Sequence, residues 1–396
     1  MRDIITDAAR SLRADLTDFV REIISIPSLS GEEGPVVERL KAEMEELGYD
    51  EVRVDGMGNV MGRLGSGGKV IAIDGHCDTV DVGDPATWDV DPFGAELRDG
   101  IIYGRGAADQ KGGLAAAIYA GKVLREVGMP DGMSLLVVAS VSEEEVEGLN
   151  WQYIIKEDGL VPAAVLLTEP SGLRISLGQR GRTEIRVRTH GVSCHGSAPE
   201  HGENAVYKIA PIILEVEQLH ERLKSDSILG SGSVTVTDVR STSPSPLYAV
   251  PDSATIHLDR RLTVGETLES AIGEVEALGS VQAGAAEVYI PEYEVTTHTG
   301  LTYPARPYYP PWLMSESDPL VRAAIEAYEL QFEEEARLCT WGFSTNGVTT
   351  KGVYDIPTIG FGPGAEEHAH TSSDQVAVDD LVKATAFYAT FLTRIS

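Results

Sequence analysis

Hydrophobic period changes partway along this chain, and that change limits what it can fold into. In the first part, runs that are apolar throughout alternate with helical patterns. Residues 69–75 (KVIAIDG), 133–141 (MSLLVVASV) and 163–168 (AAVLLT) are such runs, and an Ala- and Leu-rich helix is expected over 113–127. A strand without a polar side must be covered on both faces. This part therefore predicts a mixed, mostly parallel sheet flanked by helices, an α/β architecture. After Gly178 the pattern becomes alternation. Residues 183–189 (TEIRVRT), 234–240 and 255–262 (TIHLDRRL) place apolar and polar side chains on opposite faces, as a sheet with one wet side does. Helical stretches at 204–223 and 265–278 lie between these strands, and a last strand is expected over 281–290. Strand–helix–strand–strand–helix–strand reads as a small α+β sandwich. The expected organisation is one larger domain of residues 1–177 and 297–396, split by an inserted domain of residues 178–296.

The flanking elements follow from the same patterns. Ile5, Ala8, Leu12, Leu16, Phe19 and Ile23 form one helical stripe that Pro27 ends. A second helix is expected over 35–47, with Ser30 and Glu33 as a capping box and Gly48 as its stop. The segment 303–312 (YPARPYYPPW) is rich in proline and reads as a linker. A helix at 318–331, a strand at 357–361 and a helix at 379–394 complete the larger domain.

Charge narrows the partners. There are 62 Asp and Glu against 32 Lys and Arg, a net charge of −30. Phosphate backbones and anionic lipids both require clustered cations, so neither nucleic acid nor a membrane surface is an expected partner. The N-terminus lacks the apolar core of a signal peptide, and no run approaches a membrane span. Cys77, Cys194 and Cys339 are too few and too scattered for a disulfide framework, and no CxxC pair suggests a structural zinc site. A soluble cytoplasmic protein is the expectation.

Chemistry-bearing residues gather where buried strands end. In open α/β sheets ligands collect outside the carboxyl ends of the strands. Gly75-His76-Cys77-Asp78 follows the first apolar run. His76 can ligate a divalent metal there, and Asp78 can accept its other ring N–H. The loop Gly104–Gly113 is rich in glycine but holds Asp109, which would repel phosphate and suits a metal bridge. Ser142-Glu143-Glu144-Glu145 follows the second run, Thr168-Glu169-Pro170 the third, and Glu367-His368-Ala369-His370-Thr371 lies before the last helix. Each group alone has an ordinary reading: a loop histidine, or a solvated acidic turn. Together they supply one bridging carboxylate plus, for each of two metals, a histidine and a further carboxylate. Oxygen and nitrogen donors of this kind suit Zn²⁺ first, with Co²⁺ or Mn²⁺ next.

In order and spacing, the segments GHCD, GRGAADQKGG, SEEE, TEP, GVSCHGSAPEHGENAV and AHT resemble the M20 metallopeptidase family over essentially the whole chain. That family includes acetylornithine deacetylases, succinyl-diaminopimelate desuccinylases, aminoacylases and glutamate-releasing carboxypeptidases. SEEEVEGLNWQYI, LTEPSGLRISLGQRGRTEI and TWGFSTNG are most similar to its selenium-metabolism-linked hydrolases. The resemblance implies two divalent metals held by His76, Asp109, Glu144, Glu169 and His370, with Asp109 bridging. It implies Glu143 as general base and Asp78 as the group orienting His76. The family places its ligand Glu about 35 residues after the bridging Asp, which selects Glu144 over Glu145. Ala-His-Thr selects His370 over His368. Cys77 is read as a small packed residue.

The resemblance also implies that the inserted domain dimerises and that its His195 reaches the partner's site to polarise the scissile carbonyl. Arg261 would bind a substrate carboxylate, and Asn204 would touch substrate. Arg260 and Arg261 alternate on their strand, so only one can face the site. The expected function is hydrolysis of an amide C–N bond in a small N-acyl amino acid or dipeptide carrying a carboxylate. Two other readings are a ureido (carbamoyl-amide) hydrolase of the same fold and a non-catalytic relic. TWGFSTNG departs from the family's more usual Gly/Asp-rich loop, which leaves the substrate class open. No ligand or base is missing, which argues against the relic.

Overall fold

The computed structural model describes residues 1–395. Its larger sheet has nine strands. In order they are Glu51–Val54, Val60–Leu64, Met133–Ser140, Lys69–His76, Ala164–Leu167, Thr358–Gly360, Ile175–Gln179 and Trp312–Leu313, with Leu338–Trp341 also pairing to Ile175–Gln179. The four middle strands run parallel, and antiparallel pairs extend the sheet at both ends. The sheet is therefore mixed, with more antiparallel pairing than the apolar runs alone suggested. Met133–Ser140 is buried at every position, as a strand covered on both faces must be. Helices Gly112–Val127, Val378–Leu392 and Arg2–Ser11 pack on one another, while Pro319–Phe332 packs on Thr358–Gly360 and Ile175–Gln179. Phe361 and Phe387 stack with centroids 3.8 Å apart in the aromatic part of this core.

Two glycines bring the loop before the Gly112–Val127 helix against the strand ends. A Cβ on Gly75 would lie 2.4 Å from Thr168 Oγ1, and one on Gly113 would lie 2.4 Å from the Thr168 carbonyl oxygen. Close backbone approach of this kind is what glycine permits. It puts residue 109 beside His76 and Glu169.

A second sheet forms the smaller unit. Its order is Ser233–Thr242, Ser253–Leu262, Gly181–His190 and Glu287–Tyr289, with Tyr308–Tyr309 also pairing to Gly181–His190, and every pair is antiparallel. Burial alternates residue by residue along Gly181–His190 and Ser253–Leu262. The apolar face joins the helices Ala205–His220 and Leu268–Glu276 in a core of its own that includes Ile185, Ile209, Ile256, Leu258 and Val275. Arg260 points into that side. It is fully buried and binds the carboxylates of Glu266 and Glu274. The protein is thus an α/β layer structure with a separate small α+β unit.

Four expectations about elements change. The first stripe is two helices, Arg2–Ser11 and Arg13–Ile24, broken at Leu12, whose ψ of 1° leaves the helical region. The stripe reads through the break because Ile5, Leu12, Leu16, Phe19 and Ile23 all stay buried, with Ala8 half-buried beside them. Ser30 and Glu33 form no capping box: Glu33 makes no cap bond, and both side chains are committed elsewhere in the interior. Residues 281–290 are not one strand. Gly279–Ala283 is helical and only Glu287–Tyr289 pairs. The proline-rich return is not a free linker, because Thr302–Ala305, Tyr308–Tyr309 and Trp312–Leu313 each add a short strand. Prolines are tolerated in short edge pairings of this sort.

Candidate metal centre and active site

His76 ends the Lys69–His76 strand and is 1% exposed. Its Nδ1 lies 2.9 Å from the backbone carbonyl of Asp78. A carbonyl only accepts, so Nδ1 carries a proton, and Nε2 is the nitrogen turned toward the acids. The acceptor is thus the Asp78 main chain, with the Asp78 carboxylate further off at 3.5 Å. Nε2 stands 3.1 Å from Asp109 Oδ1, 3.8 Å from Glu143 Oε2 and 3.9 Å from Glu169 Oε1.

Asp109 meets both histidines. Its second oxygen, Oδ2, lies 3.3 Å from His370 Nε2, and that nitrogen is 2.9 Å from Glu144 Oε2. One carboxylate with one oxygen toward each imidazole has the geometry of a bridge. His76, Glu143 and Glu169 offer ligand atoms all within 4.8 Å of one another, and so do His76, Asp109 and Glu144. The expected set of His76, Asp109, Glu143, Glu144, Glu169 and His370 is therefore gathered in one place. His368 takes no part and instead binds the Gln375 amide. Cys77 is fully buried.

The electrostatics of the protein alone fit cations between these groups. Glu143 and Glu169 are pushed well above the ordinary carboxylate range by burial, the more so because other carboxylates surround them. Burial also opposes the charge on Asp109, but its hydrogen bonds with His370 and His76 outweigh that and lower its pKa. Burial would lower the pKa of His76, yet the bond to Asp109 and the charges of Glu143 and Glu169 raise it well above the usual value. His370 is raised to about 10 by hydrogen bonds to Asp109 and Glu144. In the metal-free protein both rings therefore favour the protonated form, and a metal at Nε2 would take the place of that proton. Glu143 Oε1 is buried without a hydrogen-bond partner. Two imidazoles, several buried carboxylates and an orphaned carboxylate oxygen are a donor set that fits a pair of divalent cations.

The groups open into a cavity of about 510 Å³ that Arg261, Arg182, Glu147 and Phe343 also line. Arg261 and Arg182 are register partners on adjacent strands and share the wet face. Arg261 binds Asp259 at 2.7 Å. Arg182 reaches Glu147 at 3.3 Å and lies over the Tyr309 ring, 4.7 Å from its centroid. Arg182 and Glu147 were not anticipated, although pairing the 183–189 and 255–262 strands in sequence would have put a residue opposite Arg261. Asp374 was also missed. It is buried, and its carboxylate accepts the backbone N–H of Gly106 and Ala108 and faces Arg105, which shapes the loop leading to Asp109. No sequence pattern marked it. His195 and Asn204 do not line this cavity. His195 is exposed, with Nδ1 2.7 Å from Ser197 Oγ, and the Asn204 carboxamide oxygen accepts the Val206 N–H to cap the Ala205–His220 helix.

Comparison with known proteins places this arrangement. The chain is 45% identical over 386 residues to the uncharacterised protein YgeY of Escherichia coli K12, covering 98% of this chain and 96% of that one. It is 30% identical to a succinyl-diaminopimelate desuccinylase of Rhodospirillum centenum, over 95% of this chain and 96% of that one. Its fold resembles that of Bacillus subtilis YxeP, described as a dinuclear metal-binding peptidase from the M20 family. That likeness has a TM-score of 0.72 at 15% identity, over 97% of this chain and 98% of that one. The profile of the peptidase family M20/M25/M40 matches residues 72–394. The chain belongs to the M20/M25/M40 peptidase family and is a metal-dependent hydrolase of that kind.

Proposed function

We propose that this hydrolase cleaves the amide C–N bond of a small N-acyl amino acid or dipeptide that carries a free carboxylate. The observation that supports this most directly is Asp109 lying between two imidazoles, each flanked by a further carboxylate, in a cavity that two arginines also line. His76, Asp109 and Glu169 would hold one metal, and His370, Asp109 and Glu144 the other. Zinc is preferred on donor chemistry, ahead of cobalt or manganese. When bound, such a pair lowers the pKa of a shared water and polarises a carbonyl oxygen.

The chain's own residues supply the rest. Glu143 takes a proton from the attacking water as general base and delivers it to the leaving nitrogen. Its burial favours the protonated form and so makes it a competent base. Arg261 holds the substrate carboxylate with its planar fork, and Arg182 adds positive charge beside it. His195 donates a hydrogen bond to the carbonyl oxygen as negative charge develops there. Because His195 does not line the cavity of its own chain, this role falls to His195 of the partner subunit in a homodimer formed through the smaller unit. Asn204 would act in the same loop, beyond its service as a helix cap.

The test is a panel of N-acyl amino acids, dipeptides and ureido acids, incubated with Zn²⁺, Co²⁺ or Mn²⁺, with products identified by mass. Release of a carboxylic acid and an amine supports this reading. Release of CO₂ and ammonia would replace it with a ureido hydrolase, and no turnover with full metal loading would sink both.

A further inference from the structure

The backbone that carries Glu143 is held in a costly shape. Ser142, the residue before it, has φ of +55°, in the left-handed region that non-glycine residues avoid. Such a conformation persists only where its surroundings impose it. Here the neighbouring N–H groups each end on a buried side chain from a different loop. The Val141 N–H binds Asn59 Oδ1 at 3.0 Å, the Ser142 N–H binds Glu33 Oε1 at 2.9 Å, and the Glu144 N–H binds Asp78 Oδ2 at 3.0 Å. Asn59, Glu33 and Asp78 are all fully buried.

Glu33 is the unusual member. Its carboxylate sits in the interior, and its second oxygen, Oε2, has no hydrogen-bond partner. The group that faces it is His298, whose Nδ1 is 3.4 Å away and also lacks a hydrogen bond. His298 comes from far along the chain, at the tip of the hairpin made by Tyr293–Thr296 and Thr302–Ala305. That tip is fastened down: Thr299 Oγ1 donates to the Gly56 carbonyl at 2.8 Å. The ring occupies a slot over Gly58, where a Cβ would lie 2.1 Å from it and where φ is +110°. A buried acid, an imidazole and a slot only glycine can provide have thus been assembled behind a backbone N–H one residue from Glu143.

We infer that Glu33, backed by His298, is a positioning residue for Glu143. It fixes the Ser142 peptide so that the base is aimed before substrate arrives, and His298 keeps the Glu33 carboxylate oriented. This rests on the hydrolase reading above for its kinetic consequence, but not for its geometric one. Preorganisation is the physical reason it matters: a reacting group displaced by about 1 Å can lose roughly a hundredfold in rate.

The test compares Glu33→Leu, which removes the acceptor, with His298→Ala and His298→Asn in the metal-loaded full-length protein. The Asn side chain can place an amide N–H near the position of Nδ1. Glu33→Leu and His298→Ala should lower kcat about tenfold to a hundredfold, with KM unchanged within about twofold and metal content intact, and His298→Asn should recover most of the loss. A second readout needs no substrate. In the cobalt-substituted protein, the visible absorption bands should change in Glu33→Leu and His298→Ala and return toward wild type in His298→Asn, because Glu144 is two residues from Ser142. Wild-type kcat and unaltered cobalt spectra in both damaging variants would overturn the inference. So would equal loss in His298→Ala and His298→Asn together with falling metal content, which would mark a merely structural role. If wild-type protein hydrolyses nothing in the panel, the hydrolase reading fails, and the cobalt spectra alone decide the positioning role.

Discussion

Replacing Glu143 with glutamine separates the chemistry of this site from its stability. The side chains have nearly the same shape, so the substitution removes a base and a buried negative charge together. General-base catalysis contributes roughly a hundredfold to ten-thousandfold, or about 3–5 kcal/mol of barrier at 1.36 kcal/mol per decade. Glu143→Gln should therefore lower kcat by that factor while both metals stay bound, since the proposed ligands are untouched. Stability of the metal-free protein should move the other way. Glu143 is 4% exposed and its Oε1 has no hydrogen-bond partner. The carboxamide still leaves a polar atom there, so what is gained is the removal of a buried charge, comparable to the roughly 1–3 kcal/mol or more that an unsatisfied buried group costs. At the average unfolding entropy per residue, a chain of 396 residues gains about 1 °C in Tm for each kcal/mol, so the variant should melt roughly 1–4 °C higher without metal. The sign depends on pH. Burial raises the Glu143 pKa in the folded protein above 4.5, its ordinary value. The folded state therefore binds this proton more tightly than the unfolded chain, and stability falls as pH rises through 4.5 toward the folded value. Glutamine has no proton to lose, so its advantage should appear at neutral pH and shrink below the unfolded pKa. The assays are turnover on the best panel substrate, metal content by mass spectrometry and thermal melts of chelated protein across pH. Retention of kcat within about threefold would remove Glu143 as the base. A lower Tm at neutral pH would refute the account of the buried charge.

Four other outcomes are expected. His195→Ala should lose turnover and keep its metals, and mixing it with Glu143→Gln should restore activity in roughly a quarter of sites if a twofold dimer shares the histidine; no recovery on subunit exchange would mean it acts within its own chain or not at all. Arg261→Ala should weaken kcat/KM for carboxylate substrates by about 1.5–3 kcal/mol, the worth of a charged hydrogen bond, while an amidated analogue shows little difference between the two proteins. Arg260→Leu should destabilise the smaller unit by about 3–5 kcal/mol because it strands Glu266 in the interior, and adding Glu266→Leu should recover part of that in a denaturant melt. Gly58→Ala should destabilise by more than about 1 kcal/mol, since its backbone conformation and the His298 ring both exclude a side chain; a neutral melting temperature would show that the ring yields easily.

The parts of this site that the sequence reveals are the parts tied to local rules. Apolar runs announce buried strands, and strand ends are where ligands collect, so His76, the acidic run 143–145 and Glu169 stand out from the order of residues, whereas the choice of Glu143 and Glu144 within that run comes from the family resemblance. Alternation on one strand is equally local. It separates Arg260, now buried on Glu266, from Arg261, which lines the cavity. What could not be read is long-range polar packing. Ser30 and Glu33 match a helix-capping pattern, yet Ser30 Oγ donates to Asp78 at 2.7 Å and Glu33 binds the Ser142 N–H. Those partners are 48 and 109 residues away, and no periodicity encodes such a pairing. Asp374 is similar: its role depends on Gly106 and Ala108, more than 260 residues earlier. The short strands of the proline-rich return escaped because two- to four-residue pairings carry no hydrophobic period.

Asp109 and Glu143 differ in environment, and the difference matches their proposed tasks; Glu169, a proposed ligand, shares the raised state of Glu143 in the absence of a cation. Asp109 is as buried as Glu143, but each of its oxygens faces an imidazole, at 3.1 and 3.3 Å. Positive partners on both sides stabilise its charged form, which is what a bridging ligand needs. Glu143 has one imidazole 3.8 Å away and otherwise sees Glu169, Glu144 and Glu147. Its charged form is disfavoured, so it accepts a proton readily, which is what a base needs. Two acids a few ångströms apart are thus driven in opposite directions by what surrounds them, and that separation is how one cluster can hold a ligand and a base together. Arg261 and Arg182 line the same cavity, each already near a carboxylate of its own. The acids that dominate the composition are consequently not a uniform negative field at this place. Within one cavity they stand with two arginines, a mixture of charges that suits the proposed substrate with both an amide and a carboxylate.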